Sequence, residues 1–599
     1  MKSNALLAAL LVLGLLYGCG NNNANGPAAS NSSAREPFDK LLQQYYEESL
    51  QVFPLNATAN GDHRYDDRFP NDNSTSYRAL EKSFFTKYLD SLKSYDTSKL
   101  SKGDLLSYKV LKYDLELQRE ALSYKAFNDM PINQIFSQTL VFPQLGSAES
   151  FQPFETVKDY ENFLKRIDGF TVWCDTAISN MRTGMKQGYV LPKALVVKII
   201  PQMKSFVDVR ADKSVFYGPV RKFPKTFTDA QKSDLTNKYT IAITGQIIPS
   251  YRKLENFLSK EYLPAARNTS GIGALPGGDQ LYKFALKSFT TTAISPDSVF
   301  NLGLKEVARI RTRMDSIRQA TGFKGDLAAF LTYVRTDKKF TPFHSDKEIL
   351  DEYQKIYATE KPRLPSYFGK LPKTRFEIRK TEDFRAASAA FGEYNQGTAD
   401  GKRPGIFYTA ILDPAKYSSI TMETLFMHEA IPGHHFQISL QNENTSLPMF
   451  RRYYGNSAFV EGWALYAESL GNVLGEYKDP YELLGHLGDE IHRAIRLVVD
   501  AGMHSKGWTR ERAIKYMLDN EPTSTHEAEA EIERYMAAPG QAVSYKVGAL
   551  TIQALREKYR KSLGDKFRIS DFHDAVLGSG ALPLQIFIEN MDSWAASVR

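Results

Sequence analysis

The sequence predicts a mainly α-helical fold that contains one small β-sheet. Apolar residues recur at spacings of three and four through most of the 599 residues, which is the period of an amphipathic helix. Short β-branched and aromatic runs are confined to one region, residues 376–412. Hydrophobic residues make up 42% and charged residues 24% of the chain, which is ordinary usage for a globular protein.

The helical pattern begins at Phe38 and is first interrupted at Pro54, because proline inside a helix removes a backbone hydrogen bond. Further helices are predicted wherever the spacing resumes between polar, glycine-containing or proline-containing breaks. They cover residues 76–95, 101–122, 156–186, 194–209, 225–263 (as a pair), 281–291, 299–321, 327–335, 345–364, 457–474, 481–503, 510–520, 526–536, 542–560 and 569–578.

A small sheet is predicted from residues 376–380, 387–390 and 406–412. These runs are short and apolar or β-branched, and Gly401, Pro404, Gly405 and Pro414 bound them. The sheet therefore comes just before the part of the chain that carries His428.

The first 35 residues indicate export and attachment to a membrane. Lys2 precedes an apolar stretch over residues 5–16 that is too short to span a bilayer, and Cys19 follows. Residues 1–18 resemble a bacterial lipoprotein signal, after which the cysteine is lipidated; an ordinary signal peptide cleaved elsewhere is the alternative. Residues 19–35 are small and polar and predict a flexible tether. Gly20 after the cysteine favours the outer membrane of the cell envelope, with the protein facing the periplasm.

Charge and cysteine content narrow the classes of function. A net charge of +7 without a basic run does not predict nucleic-acid binding. The chain has two cysteines, so lipidation of Cys19 leaves Cys174 without an intrachain partner, and its apolar neighbours predict a buried, inert thiol. The glycine-rich residues 271–278 lack the Lys-Ser/Thr ending of a phosphate-binding loop and predict an ordinary loop.

Residues 427–437 carry the side chains of a candidate zinc site. Zinc in a hydrolase needs three protein ligands and one open position for water. The usual helical motif sets two histidines four residues apart, with a glutamate beside the first as general base. Here His428 and Glu429 are followed by a proline, Pro432, at the fourth position. His434 and His435 come after it.

The spacing decides between the two later histidines. In an unbroken helix His434 would lie about 120° away from the face of His428, and His435 would share that face but lie about 10.5 Å further along the axis. A break or bulge at Pro432-Gly433 would bring His434 into the missing place. His434 is therefore preferred as the ligand, and His435 is expected to support the site.

A third ligand is expected on a following helix. Glu461 begins the sequence Glu-Gly-Trp-Ala, and Gly462 would allow close approach to the helix of His428. Glu468 lies seven residues further on the same face, from which it can orient a ligand histidine. One zinc ion held by His428, His434 and Glu461 is predicted; the alternative is that these are polar core residues with hydrogen-bond partners.

These motifs resemble the bacterial family called domain of unknown function 885. The resemblance rests on His-Glu-Ala-Ile-Pro-Gly-His-His-Phe-Gln at residues 428–437, Gly-Ile-Phe-Tyr at 405–408, Glu-Gly-Trp-Ala-Leu-Tyr at 461–466, and segments at 61–65, 496–504, 534–535 and 539–548, and it covers about residues 36–595. It implies a gluzincin-type zinc peptidase: one helical domain over residues 36–599, with two lobes (roughly 36–370 and 371–599) and a cleft between them. In that family His434 falls on the firmer motif position and His435 on a more variable one.

The expected reaction is zinc-dependent hydrolysis of short peptides. Glu429 would take a proton from the attacking water and deliver it to the leaving amine. Tyr545, Tyr535 and His504 are the candidate donors to the developing oxyanion, with Tyr545 preferred.

Two sets of residues are expected to bind the substrate. A peptide would lie antiparallel to an edge strand over residues 404–410, which contains Gly405 and Tyr408. Arg496 and Arg534, with Tyr535 beside them, could hold a substrate carboxylate; a salt bridge on a helix surface is the alternative.

Two other functions use the same residues and stay open. One is a metal-containing, non-catalytic lipoprotein that binds peptides or envelope fragments. The other is a zinc amidase or esterase that acts on cell-wall or other acyl substrates. Glu429 argues against the first, because a binding protein needs no general base.

Overall fold

The computed structural model describes residues 35–381, 386, 390–397 and 403–599. Over these residues the protein is mainly α-helical with one three-stranded β-sheet, which confirms the predicted class. The predicted signal peptide, its cysteine Cys19 and residues 387–389 lie outside the described residues. Among the helices described, none has both the length and the apolarity that crossing a membrane requires.

The described chain forms two compact units. One comprises residues 35–270 and 274–278, and the other comprises residues 271–273 and 279–599. The expected lobe boundary near residue 370 falls inside the second unit. All candidate site residues of the described chain belong to this second unit.

The first unit is organised around an aromatic core. Phe142 stacks on Phe170 with ring centroids 4.0 Å apart, and Trp173 lies parallel to Phe170 at 6.2 Å. Cys174 is fully buried beside them, and burial raises the pKa of its thiol. The prediction of a buried thiol is therefore confirmed.

The helices of the first unit follow the predicted order. The region predicted as a pair over residues 225–263 is one nearly continuous helical stretch, because π-helical turns at Ile243–Ile247 and Leu258–Tyr262 join its parts. The α-helices are Arg35–Val52, Pro54–Ala59, Thr75–Lys93, Lys102–Ala121, Lys125–Asp129, Gln138–Leu145, Val157–Gln187, Lys193–Val207, Gly218–Arg221, Asp229–Ala242, Ile248–Phe257 and Leu263–Ala265.

The second unit is built around two long helix pairs. Helix Pro296–Ala320 packs along helix Pro480–Lys506, and helix Ser457–Glu468 packs along helix Gln541–Leu563. From residue 278 onward the α-helices are Gly278–Thr290, Pro296–Ala320, Leu327–Thr336, Asp346–Glu360, Leu364–Tyr367, Met422–Glu429, His434–Glu443, Met449–Arg452, Ser457–Glu468, Gly471–Leu474, Pro480–Lys506, Arg510–Asn520, Thr525–Ala537, Gln541–Leu563, Ile569–Gly578 and Leu584–Val598.

The sheet has its last strand in the middle. Strand β1 is Phe376–Lys380, β2 is Gly392–Asn395 and β3 is Gly405–Thr409, in the order β1-β3-β2. Strand β3 runs parallel to β1 and antiparallel to β2. The expectation that residues 404–410 form an edge strand is therefore wrong, because both edges of β3 are already hydrogen-bonded. All five residues of β3 are buried, which is typical of a strand covered on both faces.

Candidate metal centre

The chain between His428 and His434 separates two helices. Helix Met422–Glu429 ends just before Ala430, and helix His434–Glu443 begins just after Gly433, with a cis peptide bond before Pro432. The predicted interruption is thus a complete break rather than a bulge. A Cβ on Gly433 would collide with the main-chain oxygens of Met427 and His428, so the tight connection requires glycine.

A buried tryptophan fixes this connection. The indole Nε1 of Trp463 donates a hydrogen bond of 2.8 Å to the main-chain oxygen of Pro432, and the ring is fully buried. Trp463 is two residues after Glu461 on helix Ser457–Glu468. The same helix therefore carries the predicted third ligand and holds the break that positions His434.

The three predicted ligands form one cluster. The Nε2 atom of His428 lies 3.5 Å from Oε2 of Glu461, and the Nε2 atom of His434 lies 3.6 Å from the same oxygen. One potential ligand atom from each residue lies within 4.8 Å of the others, and within the described part of the chain this is the one such group found. The two imidazole rings are perpendicular, with centroids 4.9 Å apart.

These distances fit a tetrahedral zinc ion. Ligand atoms about 2.0–2.1 Å from a tetrahedral centre are about 3.3–3.4 Å from one another. The observed separations of 3.5 and 3.6 Å are close to that edge length. Two imidazoles and one carboxylate also make the donor set of many catalytic zinc sites, which leaves a fourth position for water.

A second carboxylate contacts the Nδ1 side of the His428 ring, opposite the side that faces Glu461. Oε1 of Glu468 lies 2.7 Å from Nδ1 of His428, and Glu468 is 1% exposed. Its other oxygen is 3.5 Å from Nδ1 of His486, whose ring stacks on Tyr477. Glu468 therefore takes the place that the sequence predicts, and its hydrogen bond directs Nε2 of His428 toward Glu461.

The charges in the cluster favour positive charge at the histidines. Burial alone would lower the pKa of His428, but the hydrogen bonds to Glu461 and Glu468 raise it to about 10. Burial would raise the pKa of Glu468, yet hydrogen bonds to His428 and His486 lower it to about 2. The pKa of Glu461 is likewise held below its ordinary value by His428 and His434, against the effect of burial. Two buried carboxylates thus stabilise positive charge at the imidazoles, which either a proton on His428 or a bound cation would supply.

Glu429 lies at the end of the helix that carries His428. Burial raises the pKa of its carboxyl group, an effect that His434 and His428 oppose and that Glu461 and Glu393 reinforce. Glu429 is therefore electrostatically coupled to the cluster while remaining outside the group of three ligand atoms. That is the arrangement expected for a general base.

His435 faces the sheet rather than the cluster. Its Nδ1 atom is 2.9 Å from the hydroxyl of Tyr394 on β2, and burial lowers the pKa of the ring to about 3. Gly405, in the central strand, leaves space for this contact, because a Cβ there would collide with the Tyr394 hydroxyl and with Nδ1 of His435. Tyr408 lies in the same strand, and neither residue belongs to a free strand edge.

Gly462 serves a different contact from the one expected. A Cβ there would lie 2.6 Å from the Cα of Gly548, so the close approach is to helix Gln541–Leu563 and not to the helix of His428. This close approach places Tyr545 and Ala549, on the same helix as Gly548, in one hydrophobic cluster with Leu465, one turn after Glu461.

His504 is a structural residue. It is fully buried, its Nδ1 atom accepts a hydrogen bond of 3.0 Å from the main-chain N–H of Ile272, and its Nε2 atom lies 3.0 Å from the main-chain oxygen of Tyr535. Both ring nitrogens are engaged by the backbone. The proposal of His504 as an oxyanion donor is therefore corrected.

Arg496, Arg534 and Tyr535 surround one half-buried carboxylate, Glu531. Arg496 reaches it at 3.3 Å and Arg534 at 2.9 Å, and the Tyr535 hydroxyl donates to it. Arg534 also donates a hydrogen bond of 2.8 Å to the side-chain oxygen of Gln541. The ion pair given as an alternative for the arginines is present, but both arginines are buried and they share the one half-buried carboxylate.

Sequence reasoning missed several polar residues on helix Pro480–Lys506. They share a spacing of three or four residues on a helix whose other positions are mostly apolar, which is a signal for a polar stripe on a buried face. They are His486, Glu490, Arg493 and Asp500, and the predicted Arg496 continues the same stripe.

The fold and the cluster define a class: mainly helical proteins whose candidate metal centre uses two histidines flanking a helix break and a glutamate from a third helix. The chain belongs to the family described as bacterial protein of unknown function (DUF885), whose model matches residues 54–591. A comparison with curated proteins gives no match.

Two solved structures are similar over nearly the whole chain. A candidate lipoprotein from Colwellia psychrerythraea is 30% identical with a TM-score of 0.85, covering 94% of this chain and 100% of its own. A candidate lipoprotein of unknown function from Shewanella oneidensis is 20% identical with a TM-score of 0.72 and the same coverage, and it shows the fold alone.

Proposed function

We propose that this protein is a zinc-dependent hydrolase of peptide bonds in short peptides. The observation that carries the proposal is the cluster of His428, His434 and Glu461, whose ligand atoms have the spacing of a tetrahedral zinc site. Glu468 behind His428 and Glu429 beside it supply the two further groups that such chemistry uses.

Zinc held by the three residues would supply a Lewis acid and lower the pKa of a bound water to about 7. Glu429 accepts the proton of the attacking water and passes it to the leaving nitrogen. Glu468 keeps His428 in the tautomer that carries its proton on Nδ1. Tyr545, on the helix packed against Glu461, donates its hydroxyl proton to the developing oxyanion.

The sheet offers an edge for the peptide backbone at β2. Among the described residues, β2 pairs with β3 on one side only. Glu393 of β2 is close enough to Glu429 for its charge to raise the pKa of that carboxyl group. Strand addition to β2, in place of β3, would lay a peptide along the cluster.

The proposed location is the bacterial cell envelope, with the protein anchored by lipid on Cys19. Both similar structures are of candidate lipoproteins, and the N-terminal sequence has the matching pattern. The outer membrane, with the protein facing the periplasm, stays a prediction from Gly20.

Metal analysis and a peptide panel test the function together. The purified protein should contain one zinc ion per chain, and the zinc-loaded protein should cleave short peptides. Glu429→Gln should retain the zinc and lose about 10²–10⁴ in kcat, because the general base is removed and the ligands are kept. Absence of stoichiometric metal, or full activity in Glu429→Gln, would refute the scheme.

Binding of peptides without cleavage would favour the non-catalytic lipoprotein, and cleavage of acyl esters or cell-wall amides alone would favour the amidase or esterase.

A further inference from the structure

The guanidinium group of Arg496 has donors that the protein does not use. Its Nε atom donates to the hydroxyl of Tyr535 at 2.9 Å, and Nη2 reaches Glu531 at 3.3 Å. Nη1 is buried and has no hydrogen-bond partner among the described residues. Because Nη1 carries two N–H groups and cannot accept, whatever satisfies it must be an acceptor.

A second unused donor lies beside it. The guanidinium of Arg496 lies over the ring of Tyr545, 4.7 Å from its centroid. The Tyr545 hydroxyl accepts a hydrogen bond of 3.4 Å from Gln541, and in the described part of the chain it donates to no residue. Arg496 and Tyr545 are 7% exposed each, so an acceptor bound between them would be shielded from water.

The local charges favour an anion as that acceptor. Arg496 and Arg534 share the single carboxylate Glu531. The neighbouring His492 is paired with Glu521, at 2.9 Å. One guanidinium charge is thus left without a carboxylate of its own, and a carboxylate is the anion that matches a planar guanidinium in geometry.

This place adjoins the candidate metal centre. Tyr545 and Ala549 share a small hydrophobic cluster with Leu465, which follows Glu461 by one helical turn. The glycine pair Gly462 and Gly548 holds the two helices at this separation. A carboxylate bound here would belong to a molecule that also reaches the metal ligands.

We propose that Arg496, together with Tyr545, binds the free C-terminal carboxylate of the peptide, so that the enzyme is an exopeptidase that acts from the C-terminus. This inference rests on the proposed hydrolase function and specifies its substrate class. Arg496 determines specificity and does not touch the reacting bond, whereas Tyr545 packs its ring against the Arg496 guanidinium and donates its single hydroxyl proton to the forming oxyanion.

The test compares blocked and free peptide ends. The probes are acetyl-trialanine, its C-terminal amide, trialanine amide with a free N-terminus, and acetyl-Ala-Ala-Asp-amide, whose only carboxylate is a side chain. The wild type should cleave acetyl-trialanine about a hundredfold more efficiently, in kcat/KM, than its amide, because a charge-assisted pair is lost in the amide. Equal cleavage of acid and amide, preference for trialanine amide, or equal cleavage of the aspartate peptide would overturn the inference and leave the hydrolase function standing.

Variants assign the preference to Arg496. Arg496→Met should bring the acid-to-amide ratio to about one while zinc content stays at the wild-type level, and Arg496→Lys should restore part of the ratio. Arg560→Met, at an exposed arginine paired with Glu557, should leave the ratio unchanged. Because the ratio is measured within each variant, a loss of folded protein does not imitate the effect. An unchanged ratio in Arg496→Met would overturn the assignment.

A binding measurement separates this inference from the proposed function. In a calorimetric titration, the zinc-loaded Glu429→Gln variant should bind acetyl-trialanine and not its amide. The double variant that carries Glu429→Gln and Arg496→Met should bind neither peptide. If the wild type cleaves no peptide but this binding pattern holds, the carboxylate site stands and the hydrolase proposal fails. If neither peptide binds, the carboxylate site is refuted as well.

Discussion

Replacing Glu468 with glutamine tests whether the carboxylate behind His428 controls metal affinity. The substitution keeps an oxygen of similar size near Nδ1 of His428 but removes the negative charge from a 2.7 Å hydrogen bond. The pKa of Glu468, lowered to about 2, shows that the wild-type group is ionised throughout the neutral range. The neutral variant therefore makes His428 a less basic ligand and orients it less strongly.

The expected change is a 10–100-fold rise in the zinc dissociation constant, or about 1.4–2.8 kcal/mol. Competition for zinc with a chelating dye at pH 7.5 measures it directly. The turnover number in saturating zinc should fall much less than the affinity, because Glu429 and the three ligands are retained.

A matched variant controls for the loss of a buried charge. Glu306→Gln removes a buried carboxylate from a network with Lys546 and Arg309, none of which is a candidate metal ligand. It should lower the free energy of unfolding without changing zinc affinity. If Glu468→Gln binds zinc within about twofold of the wild type, or if Glu306→Gln weakens zinc binding equally, the reasoning is refuted.

Three further substitutions probe other parts of the architecture. Gly462→Ala should destabilise the protein by about 1–3 kcal/mol in thermal unfolding and weaken zinc binding, because its Cβ would lie 2.6 Å from the backbone of the facing helix. The control Gly488→Ala, whose Cβ would have nothing within 4 Å, should be neutral or stabilising in the same assay. Lys546→Met should cost about 1.5–3 kcal/mol in urea unfolding at pH 7, because Glu490 loses a buried charge-assisted hydrogen bond of 2.7 Å and keeps only its pairing with Arg309 and Arg313. In the wild type, Lys546 and its neighbours lower the pKa of Glu490 to about 2, although burial would raise it. The ionised Glu490 therefore stabilises the fold above the pKa that it has in the unfolded chain, and this stabilisation is lost as the pH falls toward 2. The difference in unfolding free energy between wild type and Lys546→Met should therefore shrink in acid. Cys19→Ser should move the protein from the membrane fraction to the soluble fraction of bacterial lysates, and unchanged membrane association would contradict lipid anchoring through this residue.

Local signals in the sequence predict the elements well. The helix predicted over residues 101–122 is observed as Lys102–Ala121, and the strand predicted over 376–380 is observed as Phe376–Lys380, because periodicity and helix capping depend on neighbouring residues. The break before His434 is predicted for the same reason, since proline and glycine interrupt a helix wherever it packs.

Partners distant in sequence are not predictable in this way. Strand β3 was expected at the edge of the sheet and lies at its centre, because β2, at residues 392–395, was not recognised as a strand. Gly462 was correctly interpreted as a place of close approach, but a glycine does not specify which helix approaches. Both errors concern pairing across the chain and not local conformation.

The polar residues of helix Pro480–Lys506 show why such pairing also decides function. Arg496 and His504 lie two turns apart on one buried helix, and the sequence gives them equal standing as candidate site residues. The fold engages both ring nitrogens of His504 with main-chain groups and leaves Nη1 of Arg496 without a partner. Because a buried donor without a partner destabilises the folded state, Nη1 is the reason that Arg496, and not His504, is proposed to bind a ligand that supplies the missing acceptor. The unsatisfied Nη1, rather than polarity as such, therefore separates Arg496 from His504 as a candidate for binding substrate.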